Sequence, residues 1–202
     1  MGLSIVVLLF AGIRWLTVTD TQIGRSDFTS SYVGGTLLRT DRDHLYDETT
    51  QARLHTQLIA PDREDNLPFV DTPPAAVLVL PVTHLSLHTA YRLWSLLQAV
   101  LVLLAVFIAA RAAPWPASVS PAQRVACTLV GAGGTGLVVV LLLGQWDGVN
   151  ALGLSLAYWC WRRQRYATGG ALLALRAGVA QPQLGIGVGG PGVGGARPSP
   201  GS

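Results

Sequence analysis

From Ala90 to Ala110 the chain runs for 21 residues with Arg92 as its only charge. A helix of that length rises about 30 Å, which is the thickness of a hydrocarbon core. Ala122–Leu143 is a second such run, and its Gly131, Gly133, Gly134 and Gly136 suit close helix approach in lipid. Gly2–Val18 is apolar apart from Arg14. It lacks both a positively charged start and a small-residue cleavage site, so it reads as an uncleaved helix. Val149–Trp161 is a further span, and Thr168–Ala180 begins another that Gln181 and Pro182 interrupt. Only 12% of the residues are charged, about half the usual share for a soluble domain. The expectation is an all-α integral membrane protein, a polytopic helix bundle.

The few charges are segregated. Ten of the eleven acids lie between Asp20 and Asp71, with five arginines among them, while the remainder carries nine arginines and Asp147 alone. The net charge of +3 therefore sums an acidic segment and a basic membrane portion, and no basic patch interleaved with aromatics suggests nucleic acid. Arginines concentrate in cytoplasmic connections. With Arg162–Arg165 and the Arg111–Arg124 connection inside, the acidic segment falls outside. The expected organisation is a first transmembrane helix (1–19), an extracytoplasmic acidic loop (20–72), a Pro-rich re-entrant or interfacial segment (73–88), further transmembrane helices (89–184) and a disordered Gly/Pro-rich tail (185–202). Every basic residue is arginine, which together with the Ala, Gly, Leu and Val content points to a GC-rich bacterial genome and a multi-pass cell membrane protein.

The acidic loop holds the chemistry-bearing residues. Asp27, just beyond the first span, is placed to act as a base on a hydroxyl brought to the membrane; the plain alternative is a solvated turn or helix cap. Arg25 and Arg39 suit an anionic head group, or a rim ion pair. His44 with Tyr46 suits a phosphate or sugar, or a satisfied loop histidine. His84 and His88 stand four apart without a third ligand, so no metal site is expected. The turn Gly144–Asn150 faces the same side as the loop and is expected to share a cavity with it, or to be simple turn chemistry. Cys127 and Cys160 lie in apolar runs and read as small hydrophobes.

The order Asp27-Phe28 with Tyr32, Leu45-Tyr46-Asp47, Pro68-Phe69, Pro73-Pro74, Leu143-Gly144-Gln145 and Gln181-Pro182-Gln183-Leu184 resembles glycosyltransferase family 87, polytopic GT-C-type enzymes. The resemblance implies a mannosyltransferase that moves the sugar from a polyprenyl-phosphate donor to an extracytoplasmic glycan or glycolipid acceptor, with inversion. It implies Asp27 as the catalytic residue; Tyr32, Tyr46, Gln145 and Gln181 from its motifs, with Arg25, Arg39 and His44 from the loop, are the expected substrate-binding residues. Gln181 stands where the family usually has lysine. A lipid monophosphate donor demands neither metal nor other cofactor, and its partners are the donor, the acceptor and the bilayer. The family is roughly twice as long, so the abrupt change into the Gly-rich tail reads as a truncated GT-C-type fold, with an inactive remnant as one reading. A non-enzymatic polytopic protein, such as a transporter fragment or scaffold subunit, is the alternative; the lack of charge deep in the spans at 90–110, 122–143 and 149–161 argues against transport.

Overall fold

The computed structural model describes residues 2–60, 67–133 and 135–179, and among these the chain is helical with no strand. In chain order the helices are α1 (Gly2–Leu16), α2 (Asp20–Gly24), α3 (Asp27–Thr40), α4 (Glu48–Ile59), α5 (Pro73–Val79), α6 (Leu87–Ala112), α7 (Pro121–Ala132), α8 (Thr135–Leu143), α9 (Asp147–Arg162) and α10 (Tyr166–Val179). Short 3-10 turns follow α3 at Arg42–His44 and α5 at Leu80–His84.

Helix α6 is the spine. It packs along α9, against α8 and α7, and at its start against the segment around α3. Its partners keep a nearly constant separation in sequence: Tyr91 Oη donates to Leu141 O and Trp94 Nε1 to Gly144 O near its start, and Arg162 Nε donates to Ala112 O at its end. An unchanging offset of 50 residues means that α6 and α9 run in the same direction, so α7 and α8 return the chain between them. One end of the bundle carries the start of α6 and α9, and the other carries Arg111, Arg124 and Arg162.

Among the described residues two stretches are long and apolar enough to cross a membrane, Leu87–Ala112 and Pro121–Leu143. Within the second, α7 is followed by its cap Gly133, and α8 covers Thr135–Leu143. Helices α1, α9 and α10 form at the expected positions, with 15, 16 and 14 residues described in each.

The acidic 20–72 segment, expected as a loop, is built largely from α2, α3 and α4. Phe28, Tyr32, Val33 and Leu37 are all buried, as are Thr29, Ser31, Gly34 and Gly35, so α3 is enclosed on every side and keeps its charges, Asp27 and Arg39, at its two ends. They share one core with Phe69, Ala75, Ala76, Val79, Tyr91, Trp94 and Trp146. The Pro-rich stretch is helical too. Pro73 and Pro74 open α5, where a missing N–H costs nothing, and α5 lies against α3.

Candidate functional site

Position 27 begins α3, preceded by Ser26 in an extended cap conformation. The N-terminal end of a helix favours a negative side chain by about 0.3–1 kcal/mol, so this backbone suits a carboxylate. Phe28, 0% exposed, fixes the helix end from below. Its ring lies 5.9 Å from Tyr32, 6.1 Å from Tyr91 and 6.0 Å from Trp94. Asp27 itself stays exposed.

The opposing wall is the turn between α8 and α9. Gly144 takes φ +65°, and a Cβ built on it would come 2.7 Å from the Phe28 Cβ. Only glycine gives both the left-handed backbone and the close approach. The turn is clamped from α6: Tyr91 Oη donates to Leu141 O (2.7 Å) and Leu142 O (2.9 Å), and Trp94 Nε1 donates to Gly144 O (2.9 Å). Trp146 stands edge-on to Trp94 at 4.7 Å, and its Nε1 donates to Ser31 Oγ on α3 at 3.2 Å. Gly148 lets α9 rest on α6, since a Cβ there would overlap the backbone oxygen of Gln98. Thus held, Gln145 turns its Nε2 to donate to the Asp27 carboxylate. Gly144→Ala is expected to destabilise the fold by about 2 kcal/mol, from about 1–2 kcal/mol of left-handed strain and crowding against Phe28. A thermal unfolding midpoint equal to the wild type's would contradict this geometry.

Asp27 and Gln145 open on a cavity of about 310 Å³, which Ser30, Ser31, Asp71, Asp147 and Asn150 also line. Burial pushes the Asp71 carboxyl above its ordinary range; the Trp146 indole N–H partly offsets this and the Asp27 charge adds to it. Tyr46 props the same wall, stacking on Phe69 at 6.0 Å and donating from Oη to Asp71 O at 2.9 Å. Sequence reasoning missed Ser30, Ser31 and Asp71. The two serines lie within a turn of Asp27 on α3, and that helical spacing was the available signal.

The other expected site residues lie apart from this cavity. Tyr32 is buried and its Oη donates to Leu85 O at 2.7 Å, tying α3 to the start of α6. At the far end of α3, Arg39 donates to Thr83 O at 3.2 Å and bonds His84 Nδ1 at 3.1 Å. His44 lies beyond α3, 2.7 Å from Asp41, whose carboxylate pushes the imidazole up from its ordinary value. His84 and His88 do not share a helical face, because His88 belongs to α6 and bonds Asp20 at 2.7 Å. Among the described residues no metal-ligating cluster occurs. Gln181 lies outside the described residues.

Arg25 lines a second cavity, of about 210 Å³, together with Arg14, Val18, Gln22, Leu142 and Leu143. Arg25 is two residues before Asp27, and Leu143 two before Gln145. The first cavity is lined by carboxylates and hydroxyls and the second by two arginines beside apolar residues, both drawing on chain next to the Asp27–Gln145 contact.

The model of glycosyltransferase family 87 matches residues 69–188. No curated protein and no solved structure matches the chain. The matched region supplies Asp71, Gln145, Asp147 and Asn150 of the cavity; Asp27 lies before it and is brought to it by the fold.

Proposed function

The chain belongs to glycosyltransferase family 87, and from that premise we propose that it is a multi-pass membrane enzyme transferring mannose from a polyprenyl-phosphate donor to a glycan or glycolipid acceptor, with Asp27 as the catalytic base. The observation that carries the reading is the Asp27 carboxylate, exposed on a cavity and held by Gln145 from the family-matched region. A cavity of about 310 Å³ lies at the small end of the range for ligand sites, roughly 300–1,000 Å³. Hydroxyl, amide and carboxylate side chains line it, which suits sugar hydroxyls.

In this reading the acceptor hydroxyl enters beside Asp27, which takes its proton as the oxygen attacks the anomeric carbon. The new C–O bond forms as the anomeric carbon's bond to the phosphate oxygen breaks. The electron pair leaves on the polyprenyl phosphate, a stable anion that needs no general acid, and the configuration inverts. Gln145 orients the carboxylate. Arg14 and Arg25 face the departing phosphate from the adjoining cavity, and the apolar Val18, Leu142 and Leu143 lie beside its lipid. Arg39 and His44, placed elsewhere, take no part in this step.

Charge supports the orientation. Described acids gather at the Asp27 end of the bundle, whereas Arg111, Arg124 and Arg162 mark the other. Arginine-rich ends stay cytoplasmic, which supports an extracytoplasmic cavity. Leu93, Leu97, Val100 and Leu104 of α6 and Ile5, Leu9 and Ile13 of α1 are exposed, an apolar surface larger than a soluble protein tolerates and suited to lipid. Membranes containing the chain, supplied with radiolabelled polyprenyl-phosphate mannose and a glycolipid extract, are expected to label acceptor with inverted configuration. Absence of transfer, or transfer that an unlabelled nucleotide sugar competes away, would overturn the reading.

A further inference from the structure

At the end of the bundle remote from Asp27, α6 and α7 leave between them a groove of about 450 Å³. Its walls are apolar, with Phe107 from α6 and Val125 and Leu129 from α7 all exposed. Its mouth is cationic, with Arg111 ending α6 and Arg124 in the first turns of α7. Trp115, in the connection between them, donates from Nε1 to Ala110 O at 2.8 Å, which fixes its indole at the same level. Arg124 uses Nε on Val119 O at 3.2 Å, and Arg111 lies over the Phe107 ring at 5.7 Å. Among the described residues neither guanidinium meets a carboxylate.

Among the described residues no acid lies at this end to neutralise it. After Asp71 the only acid is Asp147, which starts α9 at the opposite end, about 22 Å from Arg162 along the helix. Arg162 and Arg163 add charge here, the first on Ala112 O at 3.3 Å and the second over the Trp159 ring at 4.2 Å. Positive charge at the mouth and an apolar wall on α6 and α7, which belong to the two stretches long enough to cross a membrane, together fit an amphiphile with an anionic head.

We propose that α6 and α7 bind an anionic phospholipid in this groove. Its phosphate lies between Arg111 and Arg124 as a charge-assisted pair of contacts, and an acyl chain runs along Phe107, Val125 and Leu129. Trp115 stands at the head-group level, where amphipathic rings settle. This lipid is distinct from the sugar donor, which meets the Asp27 end. The inference rests on the membrane reading above but not on the transfer chemistry.

The test is native mass spectrometry of the full chain in detergent, titrated with dioleoyl-phosphatidylglycerol or dioleoyl-phosphatidylcholine. The wild type is expected to bind phosphatidylglycerol about tenfold more tightly, as two charge-assisted contacts allow. Combined Arg111→Gln and Arg124→Gln is expected to erase the preference, and Arg111→Lys with Arg124→Lys to keep most of it. Equal binding of the two lipids by the wild type, a preference that survives the glutamine pair, or displacement by millimolar inorganic phosphate would each overturn the proposal. Asp27→Asn is expected to bind phosphatidylglycerol as the wild type does. Lipid selectivity without sugar transfer would thus overturn the enzyme reading alone, and transfer without selectivity would overturn this one alone.

Discussion

Asp27→Asn is expected to lower sugar transfer by about 10²–10⁴-fold, the range that a positioned general base contributes, while leaving the fold in place. The separation follows from where the residue sits. Its side chain is exposed at the first position of α3 and contributes nothing to the core beneath it, so the asparagine forfeits only the favourable meeting of a negative charge with a helix start, about 0.3–1 kcal/mol. Asparagine keeps the size and a hydrogen-bonding link to Gln145 but cannot take the acceptor's proton. Rates should be measured at saturating donor and acceptor, with helix content by circular dichroism and the unfolding midpoint alongside. A loss confined to kcat supports the base. Unchanged transfer removes Asp27 from the chemistry, and the cavity would then be a binding site whose reactive group lies elsewhere.

Truncating the neighbouring ring has the opposite signature. Phe28→Ala is expected to destabilise the protein by about 3–5 kcal/mol, because removing a fully buried aromatic loses transfer energy and leaves a cavity. The loss should sit at the high end. Tyr32, Tyr91 and Trp94 each have a ring centroid near 6 Å from Phe28. None can collapse into the gap without releasing a hydrogen bond to Leu85, Leu141 or Gly144. Leu93→Ala, on the exposed face of α6, is the contrast and should stay within about 0.5 kcal/mol in detergent. Denaturant unfolding followed by tryptophan fluorescence checks both. Equal small effects would mean that the aromatic cluster does not anchor the site.

Much of the architecture was legible in the chain. The apolar run at 90–110 and the segregation of arginine from acid set the helix positions and the charged ends of the bundle, because hydrophobic length and charge placement act locally along the sequence. The acidic 20–72 segment is expected as a loop from its charge, and α3 within it carries no single apolar stripe to mark it, because it is buried on every side. Asp27 and Gln145 were named from motif order, each without its partner. Only the tertiary structure joined them: they are 118 residues apart, and what brings them together is the left-handed Gly144, the Phe28 ring beneath it and two aromatic donors on α6. The fate of the arginines was likewise decided in three dimensions. Arg25 and Arg39 look equivalent in sequence, yet α3 carries Arg39 to His84 and leaves Arg25 beside the Asp27 contact. Periodicity and composition report what each segment must bury, whereas which side chains meet depends on packing between segments, and no local pattern records that.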